Sequence, residues 1–167
     1  MNIKQITNNP SEMTQAATLV CDYIIEGSER SIAAAGISFA VSTDVEAAAD
    51  ELKKFTGKTG ALYGVEIDGT MIGVGAFRDL GNGRAEMKRV YVAPEYRRKG
   101  VGRKLVTVLI DSARIAGFTS MVIESGYYLA EARKLYESLG FIDICPYEGA
   151  ECGALGCEAL YYMEMIL

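Results

Sequence analysis

The 167-residue sequence contains no histidine. That one absence excludes Ser-His-Asp triads, Cys-His nucleophiles, His-ligated zinc and histidine general bases together. Any chemistry must use carboxylates, tyrosine, cysteine, lysine or backbone groups. No apolar run reaches the roughly 18 residues that a membrane span needs. The opening residues Met1-Asn2-Ile3-Lys4-Gln5-Ile6 alternate like a strand and lack the apolar centre of a signal peptide, so a cytoplasmic chain is expected. None of the four cysteines, Cys21, Cys145, Cys152 and Cys157, is spaced as C-x-x-C, and reduced thiols are expected, with no metal. A metal or redox role for the neighbouring Cys152 and Cys157 is the minor alternative. Cations are also in deficit: 17 Lys and Arg stand against 22 Asp and Glu, a net charge of −5. That balance argues against a nucleic-acid partner. The P-loop pattern G-x-x-x-x-G-K-[ST] is missing, and Gly100-x-Gly102 lacks the third glycine of a dinucleotide fingerprint.

What remains is an ordinary globular composition, half apolar, and one domain over residues 1–167. Against the acidic background, Arg97-Arg98-Lys99-Gly100-Val101-Gly102-Arg103-Lys104 places five cations and two glycines at the start of a helical pattern. Glycine lets a backbone approach a ligand without an intervening Cβ. Unpaired N–H groups at a helix start carry partial positive charge and suit phosphate. The segment reads as a pyrophosphate cradle.

The pattern around it is mixed. A strand is expected over 2–7, then a helix from Pro10 to Glu26 that ends at Gly27. The stretch 28–41 gives no clear element. Ser42-Thr43-Asp44 caps a helix to about Phe55, with Glu46 completing a capping box on Thr43. Asp68-Gly69 turns a hairpin between 61–67 and 71–77, and Gly81-Asn82-Gly83 leads into a third antiparallel strand, 85–92. The next helix carries Val101, Leu105, Val108, Leu109, Ser112 and Ile115 on one face. Thr119–Ile123 reads as a buried strand, Leu129–Leu139 as a helix, and Phe141–Ile144 and Leu160–Ile166 as the last strands. The order is that of a single mixed α/β domain.

Arg97-x-x-Gly100-x-Gly102 resembles the acetyl-CoA signature of the GNAT superfamily of N-acetyltransferases. Glu86-x-x-x-Val90-x-Val92-x-Pro94-x-x-Arg97 is similar to the strand that leads into that signature. Ala132-x-x-Leu135-Tyr136-x-x-x-Gly140-Phe141 is similar to the family's second motif. The resemblance is close over 61–144 and extends elsewhere only in general layout. It implies a GNAT fold: a mostly antiparallel mixed sheet flanked by helices, splayed between strands four and five, with the pantetheine arm of acetyl-CoA in the gap. The backbone of Val90, Tyr91 and Val92 would pair with that arm. The amides of Arg98, Lys99, Gly100, Val101, Gly102 and Arg103 would hold the pyrophosphate, and the side chains of Arg97, Arg98 or Lys99 would add charge. Two positions depart from the family. Arg98 stands where glycine is frequent, and Leu129 stands where many members carry an asparagine that bonds the arm.

Acyl transfer from a thioester to an amine needs a proton acceptor for the amine, a donor to the thioester oxygen and a proton for the leaving thiolate. Through the resemblance Tyr136 is the general acid; from periodicity alone it belongs to the core stripe Leu129, Ala132, Leu135 and Leu139. Glu86 is the candidate base. Strand alternation puts it on one face with Lys88, Val90 and Val92, and a salt bridge with Lys88 or Arg84 is the structural alternative. The oxyanion donor would be the N–H of Val90 or Tyr91, in direct transfer without an acyl-enzyme. Tyr127-Tyr128 and Tyr161-Tyr162 either line the acceptor pocket or are strand-edge aromatics. Arg30 and Phe39 fall where the family varies its acceptor site. The implied partners are acetyl-CoA and a primary amine on a small molecule or a protein. The acidic balance favours a cationic acceptor by steering. A non-catalytic acyl-CoA sensor is the alternative function, and a homodimer through the C-terminal strands or the tyrosine-rich edge is left open.

Overall fold

Strands of alternating or wholly apolar residues form the centre of the molecule. The computed structural model describes residues 1–150 and 159–167. The sheet strands are β1 (Asn2–Ile6), β2 (Gly60–Ile67), β3 (Thr70–Gly81), β4 (Arg84–Val92), β5 (Ser120–Gly126), β6 (Ile142–Asp143) and β7 (Leu160–Ile166). The helices are α1 (Pro10–Ala35), α2 (Val45–Leu52), α3 (Val101–Ile115) and α4 (Ala130–Leu139). The strands form one seven-stranded sheet in the order β1-β2-β3-β4-β5-β7-β6. Every neighbouring pair is antiparallel except β4 and β5, which run parallel. The mixed α/β expectation is met. Cys152 and Cys157 lie outside the described residues. Among the described residues no helix is long and apolar enough to cross a membrane.

The helices cover both faces. On one, Met13, Ala16, Ala17 and Val20 of α1 and Leu52 of α2 pack with Ile6, Leu62, Val74 and Ala76. On the other, Leu105, Val106, Leu109, Ile110 and Ala113 of α3 and Tyr136 of α4 pack with Val65, Phe77, Met87 and Ile123. Removing one such leucine side chain costs about 2–5 kcal/mol, so the position of α3 is tied to the core. Gly75 of β3 sets how close α3 can lie, because a Cβ there would meet Leu109 Cδ1 at 2.9 Å.

Four local expectations change. Helix α1 does not stop at Gly27 but runs to Ala35, with Gly36 (φ 67) as its left-handed terminator and the Gly36 N–H donating to Ile32 O. Its second half buries Gly27, Ser28 and Ser31, small residues that leave no apolar periodicity to read. Asp44 rather than Thr43 caps α2, accepting from the Ala47 N–H at 3.0 Å, and the helix tightens to a 3₁₀ turn over Lys53–Phe55. The buried stripe of α3 includes Val106, Ile110 and Ala113, whereas Ile115 is 88% exposed. Phe141 to Ile144 shrinks to the two-residue strand β6.

Candidate active site

Strands β4 and β5 pair from Arg84–Ser120 to Met87–Ile123 and then part. Beyond that point the edge of β4 facing β5 has no strand partner among the described residues. On its other side β4 is kinked. Val74 pairs with Tyr91 and Ala76 with Lys88, so Gly75 alone opposes Arg89 and Val90. This is a β-bulge, with Arg89 in the left-handed region at φ 57. The bulge reverses the side-chain alternation. Val90 and Val92 pack with the α3 face beside Met87, while Tyr91 packs with the α1 face. The expected sharing of one face by Glu86, Lys88, Val90 and Val92 is therefore corrected: Glu86 and Lys88 lie on the face opposite Val90 and Val92.

A cavity of about 330 Å³ opens where the strands part. Its walls come from Tyr23, Ile24 and Gly27 of α1, Phe39 and Ala40, Lys88 to Val90 of β4, Glu124 to Gly126 of β5, Tyr128, Leu129, Leu160, and Ala132 and Tyr136 of α4. Tyr136 is thus both a core residue and a cavity residue. It is 5% exposed and its ring packs against Phe141 at 5.8 Å between centroids. Among the described residues its hydroxyl takes no hydrogen-bond partner. Burial, reinforced by Tyr161 and Tyr23, raises its pKa above the ordinary phenol value of 10.0. It therefore holds its proton at neutral pH and can donate it.

Glu86 is fully buried and does not line the cavity. Its Oε2 accepts from Arg78 Nε at 2.6 Å, and its Oε1 from the Tyr147 hydroxyl at 2.8 Å and Lys88 Nζ at 3.0 Å. The alternative partner Arg84 instead meets Glu164 at 3.1 Å. The carboxylate that does line the cavity is Glu124, which sequence reasoning missed by ending the strand at Ile123. The signal was a carboxylate directly after the apolar run Met121-Val122-Ile123, at the carboxyl end of a strand, where ligands gather in open α/β sheets.

The segment expected to be the cradle leads from a 3₁₀ turn over Pro94–Tyr96 into α3. Gly100 (φ 78) precedes α3 with no side-chain cap, so the first amides of the helix have no intrahelical acceptor. A Cβ at Gly100 would meet nothing within 4 Å, and one at Gly102 would make only ordinary contacts with Leu135 and Val92. The space in front of these amides suits an anion such as pyrophosphate. Arg98 has φ 59, a left-handed conformation that glycine adopts without strain. Arg98 and Lys99 are exposed. Arg103 donates to Ser138 Oγ at 2.6 Å, tying α3 to α4. Arg97 is not a free cation: it donates to Val92 O and to both oxygens of Glu26.

Of the acceptor candidates, Phe39 and Tyr128 line the cavity. Arg30 pairs with Glu26 and Glu131, Tyr127 is 57% exposed, and Tyr161 and Tyr162 are buried. Gly126 makes room for Tyr128, whose ring lies 2.2 Å from where a Cβ would stand. Leu129 begins α4 without a side-chain cap.

Comparison with known proteins agrees with this geometry. The sequence profile of the acetyltransferase (GNAT) family matches residues 33–141. An "IAA acetyltransferase" of Azospirillum brasilense is 39% identical over 80 residues, 47% of this chain and 52% of that protein. The chain thus aligns with about half the length of that relative. YjgM, an uncharacterized N-acetyltransferase of Escherichia coli (strain K12), is 32% identical over 120 residues, 70% of this chain and 71% of that protein. A structure of yncA from Salmonella typhimurium with its cofactor acetyl-CoA superimposes with a TM-score of 0.68 at 24% identity, over 100% of this chain and 95% of that one. The fold, the parted strands and the profile match together show that this chain belongs to the GNAT acetyltransferase family.

Proposed function

We propose that this GNAT-family N-acetyltransferase takes its acetyl group from acetyl-CoA and passes it directly to a primary amine in the cleft between β4 and β5. The observation that carries the reading is the cavity at the parting of the strands, with the protonated Tyr136 in its wall. Acetyl-CoA supplies an activated thioester. The chain supplies the rest. The amides of residues 98–103 hold the pyrophosphate, and the β4 backbone at Val90–Val92 pairs with the pantetheine arm as an added strand. The N–H of Val90 or Tyr91, at the bulge, polarises the thioester carbonyl. Tyr136 donates its proton to the departing sulfur.

Two carboxylates compete for the amine proton. Glu86 has three donors on its oxygens and lies behind the cavity wall; Glu124 is in the wall. We assign proton removal to Glu124 and give Glu86 the task of holding Lys88, Arg78 and Tyr147. The acceptor is a primary amine on a small molecule or a protein terminus, with Tyr23, Phe39 and Tyr128 packing against its body.

Substitution Tyr136→Phe tests the assignment. A general acid contributes about 10²–10⁴-fold, so kcat should fall by about a hundredfold or more while coenzyme affinity, followed by thermal shift, stays within about twofold. Unchanged turnover would remove Tyr136 from the chemistry and revive the sensor reading.

A further inference from the structure

We propose that Glu26 is a positioning residue for the coenzyme, acting through Arg97 to fix the strand edge and the loop that receive it. This rests on the coenzyme reading above. The chain leaves β4 at Val92, makes a 3₁₀ turn over Pro94–Tyr96 and doubles back, so that Arg97 Nε donates to Val92 O at 2.7 Å. That carbonyl belongs to the segment assigned to the pantetheine arm. The two terminal nitrogens of Arg97 donate to Glu26 Oε1 and Oε2 at 2.7 and 2.6 Å, a fork-to-fork geometry that sets orientation as well as distance. The guanidinium also lies 5.1 Å from the Tyr91 ring centroid, and Tyr91 packs on Tyr23 at 6.1 Å. One side chain thereby joins the end of β4, the start of the cradle loop and the α1 wall of the cavity.

The arrangement separates positioning from charge. Three of the five guanidinium N–H donors are committed within the protein, and a carboxylate neutralises the cation. Direct charge for the phosphates then falls to the exposed Arg98 and Lys99. The neighbouring ion pair Arg30–Glu131 is a natural contrast. It joins α1 to α4, yet the Glu131 side chain is 78% exposed, where such pairs contribute little.

The test compares Glu26→Gln, Arg97→Lys, the double variant and Glu131→Gln in the full chain, with acetyl-CoA as the probe. Glu26→Gln should raise the KM for acetyl-CoA about tenfold with kcat reduced less than about threefold. Arg97→Lys keeps the charge but loses the fork, and should do the same. The double variant should be no worse than either single one, because both remove one interaction. Glu131→Gln should match wild type. A role in stability alone would lower the melting temperature and active fraction of Glu26→Gln and leave KM unmoved, and that result overturns the proposal. So does a full retention of KM by Arg97→Lys, which would mark Arg97 as a plain phosphate cation. Wild-type stabilisation by acetyl-CoA separates the levels. If it is present and Glu26→Gln keeps the wild-type KM, only this assignment fails; if it is absent, the coenzyme reading falls and this assignment with it.

Discussion

Glu86 and Glu124 are both glutamates beside the same opening, and their surroundings assign them different work. Glu86 is sealed from water and satisfied by Arg78, Lys88 and Tyr147. Removing one partner of a buried ion pair costs about 3–5 kcal/mol because the remaining charges are left uncompensated. Glu86→Gln should therefore appear first as a lowered denaturation midpoint. Glu124→Gln, in the cavity wall, should appear first as a kcat lowered by about a hundredfold or more. A Glu124→Gln enzyme with wild-type turnover would return the base to Glu86 or to water. The sequence marks the loop from Arg97 to Arg103 by its own cations and glycines, and Glu86 and Tyr136 only through its resemblance to the family's motifs. It hid the side to which Glu86 points. The reversal depends on the bulge at Arg89, a left-handed residue that is neither glycine nor asparagine, so no local signal announces it.

Among the elements, the helix ends carry the chemistry. Helix α3 starts without a cap, and its free amides are the reason the cradle suits an anion. Helix α4 also starts uncapped, at Leu129, but there the side chain cannot accept a hydrogen bond. Leu129→Asn supplies a side-chain acceptor for the first turn, whose Ala132 N–H now donates to Leu129 O at 3.0 Å. It should stabilise the protein by about 1 kcal/mol, read as a higher urea midpoint at unchanged slope. A lower midpoint would show that the packing of Leu129 in the cavity wall outweighs the cap. The strands, the hairpin at Asp68-Gly69 and helices α3 and α4 were legible from alternation, turn residues and helical spacing. The second half of α1 was not, because it is buried through Gly27, Ser28 and Ser31 rather than through large apolar side chains. The cavity takes Tyr23 and Ile24 from the part of α1 that was legible, and Phe39 and Ala40 from the stretch 28–41 that was not.

At the scale of the whole molecule, function follows from a sheet that closes at one end and opens at the other. Antiparallel pairing on both flanks continues beyond Met87 and Ile123, where β4 and β5 part and leave a gap. In the proposed reaction, helices on opposite faces supply unlike groups: α3 the amides for the anion, α4 the proton of Tyr136, and α1 an aromatic and aliphatic wall of the cavity. The net charge of −5 suits attraction of a cationic amine over distance, while the local excess of cations at 97–104 suits the anionic donor. The account rests on acetyl-CoA being the donor. The most direct measurement is thiol release from acetyl-CoA by the wild-type protein across a panel of primary amines, with coenzyme binding followed by thermal shift. Stabilisation by the coenzyme together with amine-dependent thiol release is the predicted result; no stabilisation and no release with any amine would contradict it.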